Sequence, residues 1–555
     1  MRVFTILGPS GAGKTTIVQA LAGLDDKRGK SLTVPGVACI STFSFMGEDW
    51  AAVDVVGGAE NLASVAAALA ASDIAVICVP ADVDSAVLAA PFIRRVEELG
   101  VPAIIFINRI DSAQHRIAEI VSALQTYSRH HIVLREVPIR EGGTITGFVD
   151  LVSERAWKFE EGKRSVMIDM PAGVKDREAA ARTELLESYA DLDDHLMEEL
   201  IEDRQPLAGE VYAIAAKALR ENAVIECFIG SASKGHGINR LMKSLRHDAP
   251  GVEVTRGRFN GGAIAVGALA EQFKHLGKVV LLRALDGPLG GGARLAGSDV
   301  GSITDLDAKT PLAQLEPGQI GLAVKSEHLS AGHAVSREAA ERVAESGASH
   351  PSTYRRIITP DSDKDDSRLL AALSRLAEID PALDLSVDES SGRTILATQG
   401  PLHLRRVLAK IAGDFGVKVN ESLVPTALRE TIQRGTEIHH RHRKQTGGAG
   451  QFADVLIEIR PEARGSGFAF TETVKGGTVP RNYIPSVEEG ARDGLAKGPL
   501  GHPVVDVSVE LKDGKSHSVD SSDHAFRTAG KSAIREALDE IGTVLLQPVM
   551  KVEIH

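Results

Sequence analysis

The sequence predicts a multidomain protein of mixed α/β and α+β class. Three observations carry that reading. The N-terminus runs apolar strand, glycine-rich loop, helix; apolar runs then alternate with helix-period segments to about residue 125; and residues from about 350 to 425 run strand, helix, strand, strand, helix, strand. At 555 residues the chain also exceeds what one hydrophobic core organises.

The first strand is the run Val3 to Leu7, and Thr16 to Leu21 has helical spacing. Between them lies Gly8-Pro9-Ser10-Gly11-Ala12-Gly13-Lys14-Thr15, the pattern G-x-x-x-x-G-K-T. In such a loop the glycines let backbone N–H groups approach phosphate oxygens, and the helix N-terminus adds a favourable dipole. Lys14 supplies a point charge, and the Thr15 hydroxyl can hold Mg²⁺. Gly8 through Thr16 are therefore the candidate phosphate-binding residues of a P-loop domain.

Ala51 to Val56, Asp73 to Val79 and Pro102 to Ile107 read as buried strands, with a helix at Pro91 to Leu99, and Val224 to Ile229 as a late strand of the same sheet. Glu178 to Leu219 is rich in Ala, Leu and Glu at helical spacing, so residues of about 130–220 are expected to form a helical insert within a first domain spanning 1–250. From 251 to 345 short Val/Ala/Leu runs separated by glycine-rich turns predict a small β-barrel. Residues 346–425 follow the split βαβ plan, with helices at Asp366 to Leu376 and His403 to Phe415. In 426–555, strands at Asp454 to Arg460 and Val504 to Leu511 bracket a helix at Val487 to Leu495, and Ala525 to Glu540 forms a last helix.

Hydrophobic content of 43% and charged content of 25% describe a soluble globular chain, with no apolar run near the roughly 18 residues that span a bilayer. A cytoplasmic protein without membrane contact is expected, working as a monomer. Cys39, Cys78 and Cys227 read as core or near-core residues without disulfide or metal. A net charge of −12 excludes indiscriminate nucleic-acid binding, so any RNA contact must be local. The one dense positive run, Arg434 through Lys444, abuts a glycine-rich loop and is either a solvated strand edge or such a contact.

The base-recognition element chooses between nucleotides. Ile107-Asn108-Arg109-Ile110-Asp111 ends a predicted strand, where open α/β sheets bind ligands, and resembles the guanine motif N-K-x-D with Arg109 in place of Lys. The Asp111 carboxylate can accept two hydrogen bonds from guanine, Asn108 helps fix the loop, and Arg109 keeps an aliphatic stem to pack on the base. Gly230-Ser231-Ala232 resembles the loop whose backbone receives the guanine carbonyl oxygen. With Asp54-Val55-Val56-Gly57 between them, these elements stand in the order of a translational GTPase.

That resemblance implies GTP or GDP with Mg²⁺ as ligands. Asp54 would reach Mg²⁺ through water, and the Gly57 N–H would sense the γ-phosphate, so Lys14, Asp54 and Gly57 are the candidate catalytic residues. The family usually continues with a water-orienting His; Gly58 stands there instead. Arg28 to Thr33 faintly resembles the switch segment whose Thr ligates Mg²⁺, though an ordinary loop threonine is the simpler reading of Thr33.

Downstream the chain resembles elongation factor G over nearly all its length. The carrying residues are Gln399 to Leu404, Lys444 to Phe452, Gly476 to Pro485, His502 to Asp506 and His517 to Asp523. The resemblance implies a GTPase domain, a barrel, and two split βαβ-type domains. The last of these would be a fourth domain whose tip, with Lys444, Gln445, Gly447, Gly448 and His517, meets messenger and transfer RNA on the ribosome. Turn formation alone is the competing account of Gly447 to Gly450. Where the family begins its fifth domain, after Gln547 to Glu553, this chain stops, through natural shortening or truncation.

The expected function is a ribosome-associated, elongation-factor-G-like GTPase with weakened or ribosome-dependent hydrolysis. The alternative is a GTP-binding regulatory or scaffold protein that does not hydrolyse. The adjacent pairs Glu160-Glu161, Glu198-Glu199 and Glu488-Glu489 read as solvated faces, and His439-His440-x-His442 as strand rather than zinc site.

Overall fold

The structure, a computed structural model, describes every residue except 114, 162, 260–261, 274, 344–350, 389–391, 427, 445–449 and 549–555. The chain divides into two compact units, 1–423 and 424–555.

The first unit opens with strand β1 (Arg2–Leu7), helix α1 (Lys14–Ala22), and strands β2 (Arg28–Val34), β3 (Ala38–Phe45) and β4 (Glu48–Val55). Helix α2 (Leu62–Ala70), β5 (Ile74–Pro80), α3 (Val83–Ala86), α4 (Ala90–Glu98), β6 (Ala103–Asn108), α5 (Ile117–Gln125) and β7 (His131–Leu134) follow. After the insert, β12 (Val224–Ile229) completes an eight-stranded sheet of order β2-β3-β4-β1-β5-β6-β12-β7. Strands β4, β1, β5, β6, β12 and β7 run parallel, while β2 and β3 add an antiparallel edge. Helices cover both faces, which is why β5 and β6 are almost entirely apolar and the one charge within β12, Glu226, is buried and paired with Arg135 at 2.6 Å. Ile77, Ile105 and Ile225 pack to one side, and Val76, Ile104 and Phe228 to the other.

The region expected to be a helical insert is only half helical. β7 joins the main sheet, and β8 (Glu136–Glu141), β9 (Thr144–Asp150), β10 (Arg155–Lys158) and β11 (Val166–Ile168) form an antiparallel sheet before helices α6 (Lys175–Ala190), α7 (Asp194–Ile201) and α8 (Ala208–Arg220). The physical reason is the two-residue turn Gly142-Gly143, both at positive φ, which closes the β8–β9 hairpin with the twist its strands need. Val137, Ile139 and Val149 from this sheet share a core with Leu185, Tyr189 and Val211 of the helices.

Helices α9 (Ile238–Asp248) and α10 (Val252–Gly257) lead to strands β13 (Ala265–Phe273), β14 (Gly277–Ala284), β15 (Leu289–Gly290), β16 (Arg294–Leu295), β17 (Ser298–Asp299), β18 (Ser302–Thr304), β19 (Gln314–Leu315), β20 (Ile320–Val324), β21 (His333–Val335) and β22 (Ala340–Arg342). Six of them form a sheet of order β18-β20-β14-β13-β21-β22, with two short ribbons beside it. A buried ion pair ties this region to the main sheet: the Arg283 Nη2 donates to Asp73 Oδ2 at 2.7 Å, and Asp73 also accepts from the Val3 N–H and the Thr255 hydroxyl. Such pairs stabilise only while complete, because removing one partner strands a buried charge.

Next come β23 (Tyr354–Pro360), α11 (Asp366–Ile379), β24 (Asp384–Val387), β25 (Thr394–Thr398), α12 (Pro401–Phe415) and β26 (Val419–Leu423). The element order is the one read from the sequence, with sheet order β24-β25-β23-β26.

The second unit contains β27 (Arg429–Thr431), β28 (Thr436–Lys444), β29 (Gln451–Pro461), β30 (Phe468–Glu472), α13 (Ile484–Leu495), β31 (Val507–Lys515), α14 (Asp523–Ile541) and β32 (Val544–Leu546). Its sheet has the order β28-β29-β31-β30, and Val487, Ala491, Phe526 and Ile534 of the helices close a core over Val455, Ile457 and Val509.

Candidate functional site

The glycine-rich loop lies between β1 and α1, as its spacing predicts. Gly13 caps α1 at φ 98°, and a β-carbon there would meet Asn108 Nδ2 at 2.4 Å, so the position admits glycine alone. Lys14 is buried, and its ammonium donates to the Gly8 and Pro9 carbonyls, both at 3.0 Å. Burial lowers its pKa, with the Asp54 carboxylate opposing.

Asp54 stands at the end of β4, one strand over, and accepts from the Thr15 hydroxyl at 2.5 Å. Burial raises the pKa of Asp54, against the Thr15 hydrogen bond and the Lys14 charge. A carboxylate and a hydroxyl brought together are hard oxygen donors of the kind Mg²⁺ takes alongside phosphate and water, so these two residues fit the ion. Gly57 lies directly against the loop. A β-carbon on it would meet Gly8 O and Ser10 N at 2.7 Å and Lys14 Nζ at 2.8 Å, and its carbonyl accepts from the Ser10 hydroxyl.

Asn108 joins three loops. Its Nδ2 donates to the Ala12 carbonyl at 2.8 Å, and its Oδ1 accepts from the Ala232 N–H at 2.9 Å. The Ile110 N–H to Gly230 carbonyl and the Gly230 N–H to Ile107 carbonyl bonds complete the seam, so Ser231 and Ala232 sit beside the Asn108–Asp111 turn. Arg109 takes the left-handed conformation at φ 63°, and Asp111 is exposed in a short 3₁₀ turn. Cys78 sits beneath, its thiol donating to the Ala12 carbonyl; burial pushes that thiol's pKa up to about 12. The structure thus gathers Gly8 to Thr16, Asp54, Gly57, Asn108, Arg109, Asp111, Ser231 and Ala232 around one end of the parallel strands.

The segment compared with the switch is different. Arg28 to Val34 is β2, paired with β3, and the Thr33 hydroxyl donates to Cys39 Sγ rather than facing the loop. Lys30 anchors this strand on Asp305, Asp307 and Thr310. The cause is length: five residues separate α1 from β2, too few for a long mobile segment.

Sequence reading missed the residues that connect Gly57 to the third domain. Glu60 accepts from the His403 N–H in the first turn of α12 at 2.6 Å. Arg406 Nη1 donates to Asn61 Oδ1 and the Gly36 carbonyl, and its Nη2 to Asp380, which also faces His403 Nε2 at 2.9 Å. Burial pushes the Asp380 carboxyl up, but His403 and Arg406 outweigh it and hold the pKa low. No local motif announces such contacts, because their partners lie more than 300 residues apart.

In the second unit Lys444 ends β28 opposite Gln451, exposed. His517 follows β31, with its Nδ1 accepting from the Asp520 N–H at 3.3 Å and its ring edge toward Phe452. Lys444, Phe452 and His517 therefore share one end of that sheet, while Gln445, Gly447 and Gly448 lie outside the described residues. The basic strand is partly neutralised: His439 and Arg441 both face Asp454, and His440 faces Glu536.

Residues 23–250 match the elongation factor Tu GTP binding domain, 351–422 match elongation factor G domain III, and 425–541 match elongation factor G domain IV. An elongation factor G-like protein of Synechocystis is 32% identical over the whole of this chain and 86% of its own length. The chain belongs to the elongation factor G family. Elongation factor G of Thermotoga neapolitana and of a second Thermotoga strain are 29% and 30% identical, each over 83% of this chain and 70% of their own length. A crystal structure of a Thermus thermophilus protein superposes with a TM-score of 0.82 at 25% identity, covering 98% of this chain and 85% of that one. For an elongation factor G family member, the match of residues 23–250 to a GTP binding domain implies binding of GTP or GDP. Among the described residues of this family member, no helix is long and apolar enough to cross a membrane.

Proposed function

We propose that the chain is a ribosome-associated guanine-nucleotide-binding factor that acts in translation elongation or translocation, with weakened or ribosome-dependent GTP hydrolysis. The supporting observation is the meeting of Lys14, Thr15, Asp54 and Gly57 at one loop, with no side chain at position 58 beside them. In this reading Lys14 and the amides of Gly8 and Ser10 to Thr16 hold phosphate, and Thr15 and Asp54 hold Mg²⁺, which neutralises phosphate charge when bound. Asn108, Arg109, Asp111, Ser231 and Ala232 hold guanine. Gly57 senses the γ-phosphate, and Glu60 and Asn61 carry the response to α12 through His403 and Arg406.

In the second unit, Lys444, Gln445, Gly447, Gly448 and His517 meet transfer and messenger RNA in the cytoplasm, through contacts that suit backbone and sugar more than base sequence. A second reading, binding without hydrolysis, is favoured by one observation: the place of the mobile switch is held by a paired strand pinned through Lys30.

The test is direct binding of GTP, GDP and ATP to the purified chain, with GTP turnover measured with and without ribosomes. Guanine-selective binding with ribosome-stimulated turnover supports the first reading. Guanine-selective binding without stimulation supports the second, and failure to bind guanine nucleotides contradicts both.

A further inference from the structure

A cleft of about 1120 Å³ opens between the inserted sheet, helix α9 and the Ser233–Gly237 segment. Its walls contain none of Gly8 to Thr15, Asn108 or Asp111, so it is separate from the nucleotide site described above. Six of its lining side chains are cationic and two are carboxylates, in a chain whose net charge is −12. The carboxylates are already engaged: Asp150 pairs with Arg240 and accepts from the Tyr212 hydroxyl at 3.2 Å, and Glu161 pairs with Lys234 at 2.8 Å. Arg155, Arg164 and Lys243 have no carboxylate partner among the described residues. Like charges gathered without partners in a concavity focus a positive potential there and draw in an anion.

Trp157, half-buried on β10, lines the same cleft as these cations. An indole beside guanidinium and ammonium groups is suited to a flat aromatic ring that carries phosphates, since the ring stacks while the phosphates meet the cations. The volume lies just above the usual range of small-ligand sites, roughly 300–1,000 Å³. It is ample for a hydrated mononucleotide.

We propose that this cleft is a second ligand site that binds a phosphorylated nucleoside, with Trp157 against the base and Arg155, Arg164 and Lys243 on the phosphates. The cleft also reaches the guanine loop. Lys234, which lines it, follows closely on the Ser231-Ala232 pair whose backbone holds Asn108, and His236 stacks on Phe159 of the insert at 4.5 Å.

The test uses ATP, which a guanine-selective first site leaves free for the cleft. ATP is titrated into the full chain and followed by tryptophan fluorescence, because Trp50, the other tryptophan, is fully buried in the main sheet. Equilibrium dialysis counts the sites. One saturable ATP site, weakened about tenfold or more in the Arg155→Ala/Arg164→Ala/Lys243→Ala variant, is the expected result. GDP affinity at the first site and the melting temperature of that variant should stay unchanged, and Lys243→Glu alone should reproduce part of the loss.

No ATP binding up to millimolar concentration overturns the proposal, as does binding that survives in the variant. Tripolyphosphate binding as tightly as ATP removes the base contact, and an oligoglutamate peptide binding more tightly than ATP points to an acidic protein segment; either result also overturns it. ATP bound at the first site instead would be lost with Lys14→Ala and kept in the cleft variant, which separates failure of this proposal from failure of guanine selectivity.

Discussion

Asn108 does more than its motif requires. One side-chain amide satisfies the Ala12 carbonyl and the Ala232 N–H, so removing it takes the acceptor from the buried Ala232 N–H and leaves the Ala12 carbonyl with only the weaker Cys78 thiol donor. Asn108→Ala is expected to weaken GDP binding by about 1–3 kcal/mol, roughly five- to 150-fold in Kd, and to lower the melting temperature. Calorimetric titration and a melting curve check both.

Gly58 invites the opposite experiment, restoring the missing His. The position has open space around it but stands at φ 117°, outside the conformations L-residues favour. Gly58→His is therefore expected to cost about 1–3 kcal/mol of stability and to leave GTP turnover unimproved. A large gain in turnover would show that this backbone readily changes its conformation.

At the scale of elements, the split βαβ order, the parallel strands and the long helix α14 are all legible in the sequence, because each rests on local periodicity. The inserted sheet is not read from it, although its Gly142-Gly143 turn is the available signal. The β2 edge escapes for a different reason: resemblance suggests a switch, while five residues of loop leave room only for a strand. Of the candidate site, the loop and the Asn108–Asp111 turn are readable as motifs. The Glu60, Asn61, His403 and Arg406 contacts arise only in three dimensions. Arg406→Ala should cost about 1–3 kcal/mol in the melting of the chain, because Asp380 and Asn61 lose their shared donor.

The second unit offers a test by pH. Burial pushes the Asp454 carboxyl up, but Arg441 and His439 outweigh it and hold its pKa below the usual 3.8. A carboxyl depressed in the folded state stabilises fully above its unfolded value and loses that contribution as pH falls through the folded one. Asp454→Asn should therefore lower stability at pH 7 by about 1 kcal/mol, given the exposure of both partners. The difference should shrink below the unfolded value of 3.8, in melts taken at successive pH.

For the molecule as a whole, the first unit holds every described residue of the proposed nucleotide site, and the second holds the described residues proposed to contact RNA. Within the first unit Arg283 and Asp73 join the main sheet to the region after residue 250, and Arg283→Met should cost about 3 kcal/mol by leaving Asp73 short of a buried partner. Melting with denaturant measures that directly.

The central claim is that this chain binds guanine nucleotide at the Asn108 seam and uses it on the ribosome. It is tested most directly by GTP hydrolysis with and without ribosomes, run beside binding of GTP, GDP and ATP. Guanine-selective binding with slow intrinsic turnover that ribosomes stimulate is the expected result. Absence of guanine-nucleotide binding, or turnover indifferent to ribosomes, would contradict it.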